Sequence, residues 1–317
     1  MTGSEGAANP LVSVVIPTYY RNEHLERALE SVLDQTYDPV EIIVVDDSGE
    51  SHAAPLVETY PDVTYLAHDT NQGAQTARTN GIERARGTYV NLLDDDDRMR
   101  EDKLEKQVAL IESAPDVGVV YCGKQWESGH EVLPDPAVRG DVLNHALEFQ
   151  MTPSSPSAML IERAILEEIL PLADRPGADD LGMKIELATR TEFDFVDEAL
   201  VIQGEAEESR GGSMGAVVGR RQILDEYADF YDVAPRSIYR SALAHTYLLE
   251  AEILLTQQVW SSKAIRSAVL ALYHVPGFRL TFVGYALASL FGRPGHRLGW
   301  KVYRRFLLGD EHRGGLT

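Results

Sequence analysis

The sequence predicts an α/β fold, a mostly parallel sheet flanked by helices, followed by a helical extension. Three observations carry that prediction. Over residues 11–115, short β-branched apolar runs alternate with amphipathic stretches of roughly a dozen residues, the order that right-handed βαβ units produce. The apolar runs are continuous and do not alternate with polar residues, as strands covered on both faces must be. After about Val217 the strand signal stops and only helical periodicity remains.

The elements follow in order. MTGSEGAANP, residues 1–10, is polar and reads as a flexible tail; it lacks the basic and apolar regions of a signal peptide. LVSVVIPTY (Leu11–Tyr19) is a buried strand that Pro17 ends. NEHLERALESVLDQ is helical, with Asn22 as its N-cap and Leu25, Ala28, Leu29, Val32 and Leu33 as its apolar stripe. VEIIVVDDS (Val40–Ser48) and VTYLAH (Val63–His68) are the next two strands. The latter part of NQGAQTARTNGIERA is helical, GTYVNLL (Gly87–Leu93) is a fourth strand, and EDKLEKQVALIES is a helix with Leu104, Val108 and Ile111 in phase.

In sheets of this kind ligands bind beyond the carboxyl ends of the strands. Asp46 and Asp47 end one strand, and NLLDDDDRMR puts Asp94, Asp95, Asp96 and Asp97 at the end of another, so both acidic clusters should meet at one rim. Like charges packed there repel unless something offsets them. Carboxylate oxygens are the hard ligands that Mg²⁺ or Mn²⁺ takes, with the rest of its shell from phosphate and water. The alternative on the same residues is a solvated acidic loop.

Composition bounds the partners. The net charge is −21, with 50 acidic residues against 29 basic ones, which excludes a general nucleic-acid binder. Arginine far outnumbers lysine, which occurs only at 103, 106, 124, 184, 263 and 301; this acidic, Lys-poor balance is that of salt-adapted, halophilic proteins. The single cysteine, Cys122, rules out an internal disulfide and fits a reduced, cytoplasmic setting. The nine histidines show no metal-ligand spacing, and neither a Walker A sequence nor G-x-G-x-x-G occurs. From Trp260 onward there are nine basic residues and two acidic ones, a net of +7, leaving −28 to the first 259 residues.

VSVVIPTYYR, EIIVVDDSGE, NQGAQTARTNGIERARGTYVNLLDDDD and DKLEKQ, in this order and spacing, resemble the nucleotide-binding half of family 2 glycosyltransferases of the GT-A fold. PSSPSAMLIERAILEEI and ADDLGMKIELATRTEFDFVDEALV resemble the acceptor half, so the likeness covers roughly residues 11–204. It implies a catalytic domain over 11–215, divided near residue 115 into nucleotide and acceptor halves, with a helical region over 216–317 that is basic from about residue 260.

The resemblance also implies roles. Pro17, Tyr19 and Asp47 would hold the nucleotide base, Asp47 accepting from a ring N–H, and Arg78 would lie near the nucleotide. Asp96 with Asp94 would bind Mn²⁺ or Mg²⁺, Asp94 or Asp95 would face the ribose, and Asp97 would orient the loop. Asp180 would be the general base of a single inverting displacement from a nucleotide-sugar donor, UDP favoured over GDP. Asp47-Ser48-Gly49, Arg78-Thr79 and Tyr19-Tyr20 depart from the family's usual residues, which bears on base and sugar selectivity.

Each assignment has a plainer counterpart: Asp180 as the N-cap of LGMKIELATR, Arg78 as a surface helix residue, Tyr19 as strand-end packing. GGSMG fits a hydrolase elbow in form only, since EAEESR and not a buried strand precedes it; GEAEESRGGS reads as a lid or a linker. In the C-terminal region apolar runs alternate with Arg, Lys, Trp and Tyr. It suits either a helical bundle or a bilayer interface, with Trp300 and Tyr303 among headgroups and Arg304 and Arg305 on anionic lipid. The second reading implies a peripheral enzyme on the inner face of the membrane and a lipid-linked glycan acceptor, as in haloarchaeal enzymes of S-layer N-glycan assembly. The rival functions are a sugar-phosphate nucleotidyltransferase, for which PTYYRNEH lacks a Gly-rich phosphate loop, and a non-catalytic sugar- or lipid-binding scaffold.

Overall fold

The computed structural model describes residues 9–204, 210–277 and 280–295. Within it the chain forms two compact units that are interleaved in sequence. The first runs to Val142 and adds Thr152–Ala173 and Glu186–Glu205; the second takes Leu143–Met151, Asp174–Ile185 and the chain from Ala206 onward.

The first unit is built on a sheet. Its described strands are β1 (Val12–Thr18), β2 (Val40–Asp46), β3 (Val63–Ala67), β4 (Tyr89–Leu92), β5 (Arg98–Met99), β6 (Val117–Trp126), β7 (Glu131–Val132), β8 (Leu160–Glu162) and β9 (Glu192–Gln203). They lie in the order β3-β2-β1-β4-β8-β6-β9-β5, with β7 beside β6. The first four are mutually parallel, as the βαβ pattern requires. The remainder is mixed: β8 runs antiparallel to β4 and β6, β6 and β9 are parallel, and β5 is antiparallel to β9. Helices α1 (Asn22–Leu33), α2 (Ala54–Val57), α3 (Ala74–Arg84), α4 (Lys103–Ser113) and, later in the chain, the short α6 (Arg163–Glu167) accompany the sheet.

Strand β1 shows why the run is almost entirely apolar. Val12, Val14 and Ile16 share one core with Leu25 and Leu29 of α1 and Leu104 and Val108 of α4. Val15 points the other way, toward α3, where a Cβ on Gly81 would stand only 2.3 Å from Val15 Cγ1. Both faces are covered, so both sets of alternate residues are apolar except Thr18 at the strand end and Ser13, whose buried hydroxyl donates to Glu41 and accepts from the Gly87 N–H.

Some local expectations are corrected. Arg21, not Asn22, occupies the N-cap of α1; the Asn22 side chain instead donates to the His52 carbonyl. Leu33, expected in the buried stripe, is exposed. Pro17 does not end β1, which pairs with β2 one residue further; β1 and β2 stop at Thr18 and Asp46, which leaves Tyr19 and Asp47 in the loops at the rim. Asn9 and Pro10 are bonded to Asp38 and Tyr37, whereas residues 1–8 of the anticipated tail lie outside the described residues.

The second unit is helical, with α5 (Leu143–Leu147), the first turns of α7 (Asp179–Ala188), α8 (Met214–Glu226), α9 (Ala228–Val233), α10 (Arg236–Gln257), α11 (Ser262–His274) and α12 (Leu280–Ser289). Two segments from the anticipated acceptor half belong to it. Tyr231 Oη donates to the Leu147 carbonyl, and the Arg175 guanidinium bonds Glu226 and Tyr227. Small residues let α10, α11 and α12 approach closely: Ala251, Ala268 and Ala286 form one cluster, and Ala244, Ala271 and Phe282 another. No described helix is long and apolar enough to cross a membrane.

Gly81→Ala tests the close packing of α3 on β1. In an exposed helix the change would add about 1 kcal/mol of stability. Here the contact with Val15 reverses the sign, and urea unfolding should show a loss of about 1–3 kcal/mol.

Candidate active site

The rim of the first unit gathers the two acidic clusters. The Leu93 N–H bonds the Val15 carbonyl, which carries β4 pairing up to the aspartates, and the Asp97 N–H closes a turn on the Asp94 carbonyl. That turn sorts four adjacent aspartates into two sets. Carboxylate atoms of Asp94, Asp96 and Asp97 all come within 4.8 Å of one another. The Asp95 carboxylate turns to β1 instead, accepting from Thr18 Oγ1 at 2.9 Å and from Arg21 Nη1 at 3.1 Å. Arg21 also reaches Asp96, at 3.2 Å. Thus Asp97, expected only to orient the loop, joins Asp94 and Asp96, and Asp95 sits apart from them.

Residues remote in sequence hold this loop. Ser157 Oγ accepts from the Asp94 N–H and bonds the Asp97 carboxyl. Its own segment is fixed from below: Asn91 Nδ2 donates to the Ser157 and Met159 carbonyls, and Gln107 Nε2 to those of Ala158 and Val120. This explains why a buried strand carries Asn91 and a buried helix face carries Gln107. Gly204 closes the other side, where an added Cβ would stand 2.1 Å from the Asp96 carbonyl oxygen.

The electrostatics are those of an overcharged, half-buried site. Burial pushes Asp97 up to about 7, with Asp94 adding to the rise and Ser157 opposing it. Burial pushes Asp95 up to about 6 against the pull of Arg21. Asp96 is raised as well, by burial and then by Asp94. Protons or a divalent cation can offset such a charge. Three hard oxygen donors of this kind, from Asp94, Asp96 and Asp97, fit Mg²⁺ or Mn²⁺.

The other expected residues fall as follows. Arg78, on α3, is largely buried and pairs with Asp94 at 2.5 Å, so it is not a free surface side chain. Asp47 Oδ1 accepts from the Gln72 N–H and from His68 Nδ1, and Oδ2 accepts from the Gly73 N–H. One Oδ2 lone pair is left for a further donor. Tyr19 is about half exposed and stands edge-on to Tyr20, so it is not strand-end packing. Pro17 lies next to the end of β1, opposite Val45 of β2.

His68 was not anticipated. It is buried between Asp47 and Asn80, with Nδ1 2.7 Å from Asp47 Oδ1 and Nε2 2.8 Å from Asn80 Nδ2. Its only signal in the sequence was its place just after β3, beside the end of β2.

In the second unit, Asp180 lies in the first turn of α7 and not at its N-cap. Buried Lys184, one turn on, brings Nζ to 3.0 Å from Asp180 Oδ2. Arg220, half-buried on α8, has its pKa lowered by desolvation and feels both Asp180 and Glu252. Ser213 of the formal G-x-S-x-G stands at the N-cap of α8; residues 205–209 of the expected lid lie outside the described residues.

Comparison with known proteins now bears on this rim. Residues 13–170 match the family model for glycosyl transferase family 2. This segment is a family 2 glycosyltransferase domain. A Bacillus subtilis (strain 168) glycosyltransferase named for teichuronic acid biosynthesis, TuaG, is 40% identical over 106 residues, covering 32% of this chain and 42% of its own. A Rickettsia typhi glycosyltransferase, RT0329, is 34% identical over 175 residues, covering 51% of this chain and 55% of its own. The chain thus spans about half the length of the curated relatives it matches, and these are bacterial.

Two solved structures share the GT-A-like fold. S. aureus TarS 1-349, also solved with UDP-GlcNAc, gives a TM-score of 0.61 at 18% identity over 93% of this chain and 91% of its own. The mannosyltransferase PcManGT of Pyrobaculum calidifontis, solved with GDP-Man and Mn²⁺, gives 0.60 at 20% identity over 94% and 88%. The family 2 match contains all four aspartates, Asp47 and Arg78, whereas Asp180 lies beyond its end.

Two predictions follow from this domain's rim. Gly204→Ala should displace the Asp96 carbonyl and weaken divalent-cation affinity about tenfold or more, read by calorimetric titration. The raised carboxylates bind more protons folded than unfolded between about pH 4 and pH 7, so without metal stability falls as pH rises through that window. Added Mn²⁺ should therefore raise the melting temperature more at about pH 8 than at about pH 5.5. An equal gain at both would show that these carboxylates do not hold the cation.

Proposed function

We propose that the chain is an inverting, divalent-metal-dependent glycosyltransferase that moves a sugar from a nucleotide-diphosphate donor to a hydroxyl acceptor. The observation that carries this reading is the group of Asp94, Asp96 and Asp97 at the end of β4, inside a family 2 domain. Mn²⁺ or Mg²⁺ on these carboxylates would supply neutralisation of the charge that develops on the leaving diphosphate.

The chain's own residues do the rest. Arg78 brings a guanidinium beside Asp94 and the diphosphate, and the free Oδ2 lone pair of Asp47 accepts from a base N–H. Tyr19 offers an exposed ring to the base next to Pro17, and Asp95, fixed by Thr18 and Arg21, faces the ribose hydroxyls. Asp180 removes the acceptor proton as that oxygen attacks the anomeric carbon, and Lys184 holds the carboxylate in place. One displacement inverts the configuration. The neighbours' ligands, UDP-GlcNAc and GDP-Man, support a nucleotide-sugar donor, and we favour UDP.

For the acceptor we favour a lipid-linked glycan, as in surface glycoprotein assembly, reached from the inner face of the membrane. The support is the basic C-terminal region on an otherwise acidic, Lys-poor chain, the same composition that suggests a salt-adapted, haloarchaeal setting. Trp300, Tyr303, Arg304 and Arg305 lie outside the described residues.

The test is a thermal-shift panel in high salt with UDP-, GDP- and dTDP-sugars, each with and without Mn²⁺ or Mg²⁺. A donor at about 100 times its dissociation constant should add roughly 2.7 kcal/mol, a shift of a few degrees, and only with metal. In the same assay Asp180→Asn should keep that stabilisation and lose transfer by about 10²–10⁴-fold. Unchanged turnover would overturn the base assignment.

A further inference from the structure

Helix α12 has its surface chemistry inverted. Its sequence, LTFVGYALAS, contains no charged residue. Phe282 and Ala286 on its inner face pack with Ala244, Ala251, Ala268 and Ala271 of α10 and α11. The opposite face carries Leu280, Leu287 and, just past the helix, Phe291, which are 66%, 58% and 74% exposed. Gly284 completes this stripe at i, i+4, i+7 and i+11, and nothing lies within 4 Å of the Cβ position at Gly284. A surface helix of a water-soluble domain turns a polar face outward, so one that is apolar on both faces needs a second apolar environment.

The end of this stripe is built, not frayed. The Arg293 N–H donates to the Val259 carbonyl, and Trp260 Nε1 donates to the Leu290 carbonyl. Gly292 comes so close that a Cβ there would stand 2.2 Å from the Val259 oxygen. Arg293 also caps the end of α10, bonding the Leu255 and Thr256 carbonyls. These contacts lock Val259, Trp260, Leu290 and Phe291 into one apolar corner while all four stay at least half exposed. A rigid corner loses little conformational entropy when it docks.

We propose that the outer face of α12, ending in the Trp260–Phe291 corner, is the surface on which the chain lies on an anionic bilayer. The proposal deepens the membrane-surface reading given above and rests on it. Ten residues at 1.5 Å each span about 15 Å, half of the roughly 30 Å hydrocarbon core, so the helix lies in the interface and does not cross. Charge selects the occupant. The described residues from Trp260 onward hold Lys263, Arg266 and Arg293 and no acid, whereas the first 259 residues of the sequence carry −28, so this stretch is the one that anionic headgroups attract. A second copy docking face to face would oppose two stretches that carry Lys263, Arg266 and Arg293 and no acid.

Flotation of the full chain with vesicles tests this, using phosphatidylcholine alone and phosphatidylcholine mixed with phosphatidylglycerol, at several salt concentrations. The protein should float with the mixed vesicles, less so as salt rises. The double variant Leu287→Glu/Phe291→Glu should lower the bound fraction about tenfold with an unchanged melting temperature, since both side chains are exposed. Failure of the parent chain to float, or equal flotation of the double variant, overturns the proposal. So does a dimer of the parent chain that the same substitutions dissolve. Metal-dependent donor stabilisation, measured without lipid, reports separately on the transferase reading.

Discussion

Like-charge repulsion at the end of β4 is the constraint around which the first unit is arranged. Two unit charges 4.8 Å apart at an effective dielectric of about 20 repel by about 3 kcal/mol. Asp94, Asp96 and Asp97 make three such pairs. A hydrogen bond returns only about 1 kcal/mol net, so Ser157 and the backbone N–H groups can set the loop's shape but cannot offset its charge. The shape is nonetheless costly to make. Asn91 and Gln107 are fully buried polar side chains, and each leaves its oxygen without a partner among the described residues. A core that accepts two orphaned amide oxygens to fix one serine hydroxyl is organised around the aspartates.

The same logic separates Asp95 from its neighbours. Arg21 sits at the N-cap of α1, where a side chain oxygen would ordinarily satisfy the helix. Its guanidinium instead binds Asp95 and Asp96. Helix capping is given up for charge at the rim, and Asp95 is the anchor that ties the aspartate loop to β1.

Much of this frame was legible in the sequence, for a simple reason. Continuous apolar runs ending in acids mark both the strands and the rim, and those are local features. Which aspartate does what was not legible, because the four share one local environment in sequence. Their directions are set by Thr18, Arg21, Ser157 and Gly204, partners 63 to 107 residues away in the case of Ser157 and Gly204. His68 was missed for the same reason, since its role exists only once β3 lies beside β2 and α3 brings Asn80 to its second nitrogen. The interleaving of the two units was hidden too, because segments such as 143–151 and 174–185 are assigned by packing and not by composition.

Within the second unit, two acids on α10 show how partners decide a charge. Glu250 is buried yet held below the usual carboxylate range, since burial is outweighed by Lys263, Ser267 and Arg221. Glu252, two residues on, faces another side of the helix. Burial pushes it up to about 7, and Arg220 is the cation that opposes the rise. That guanidinium also feels Asp180, while its Nη1 donates to the His245 carbonyl and its Nε has no partner among the described residues. Arg220 is therefore shared between the proposed base and a carboxyl whose charge is not fixed near neutrality. When Glu252 ionises, its negative charge offsets part of the positive field that Arg220 sets up around Asp180; when it is protonated, that offset is gone. Lys184 is bonded directly to Asp180, and that direct contact is why the hold on the carboxylate is placed there.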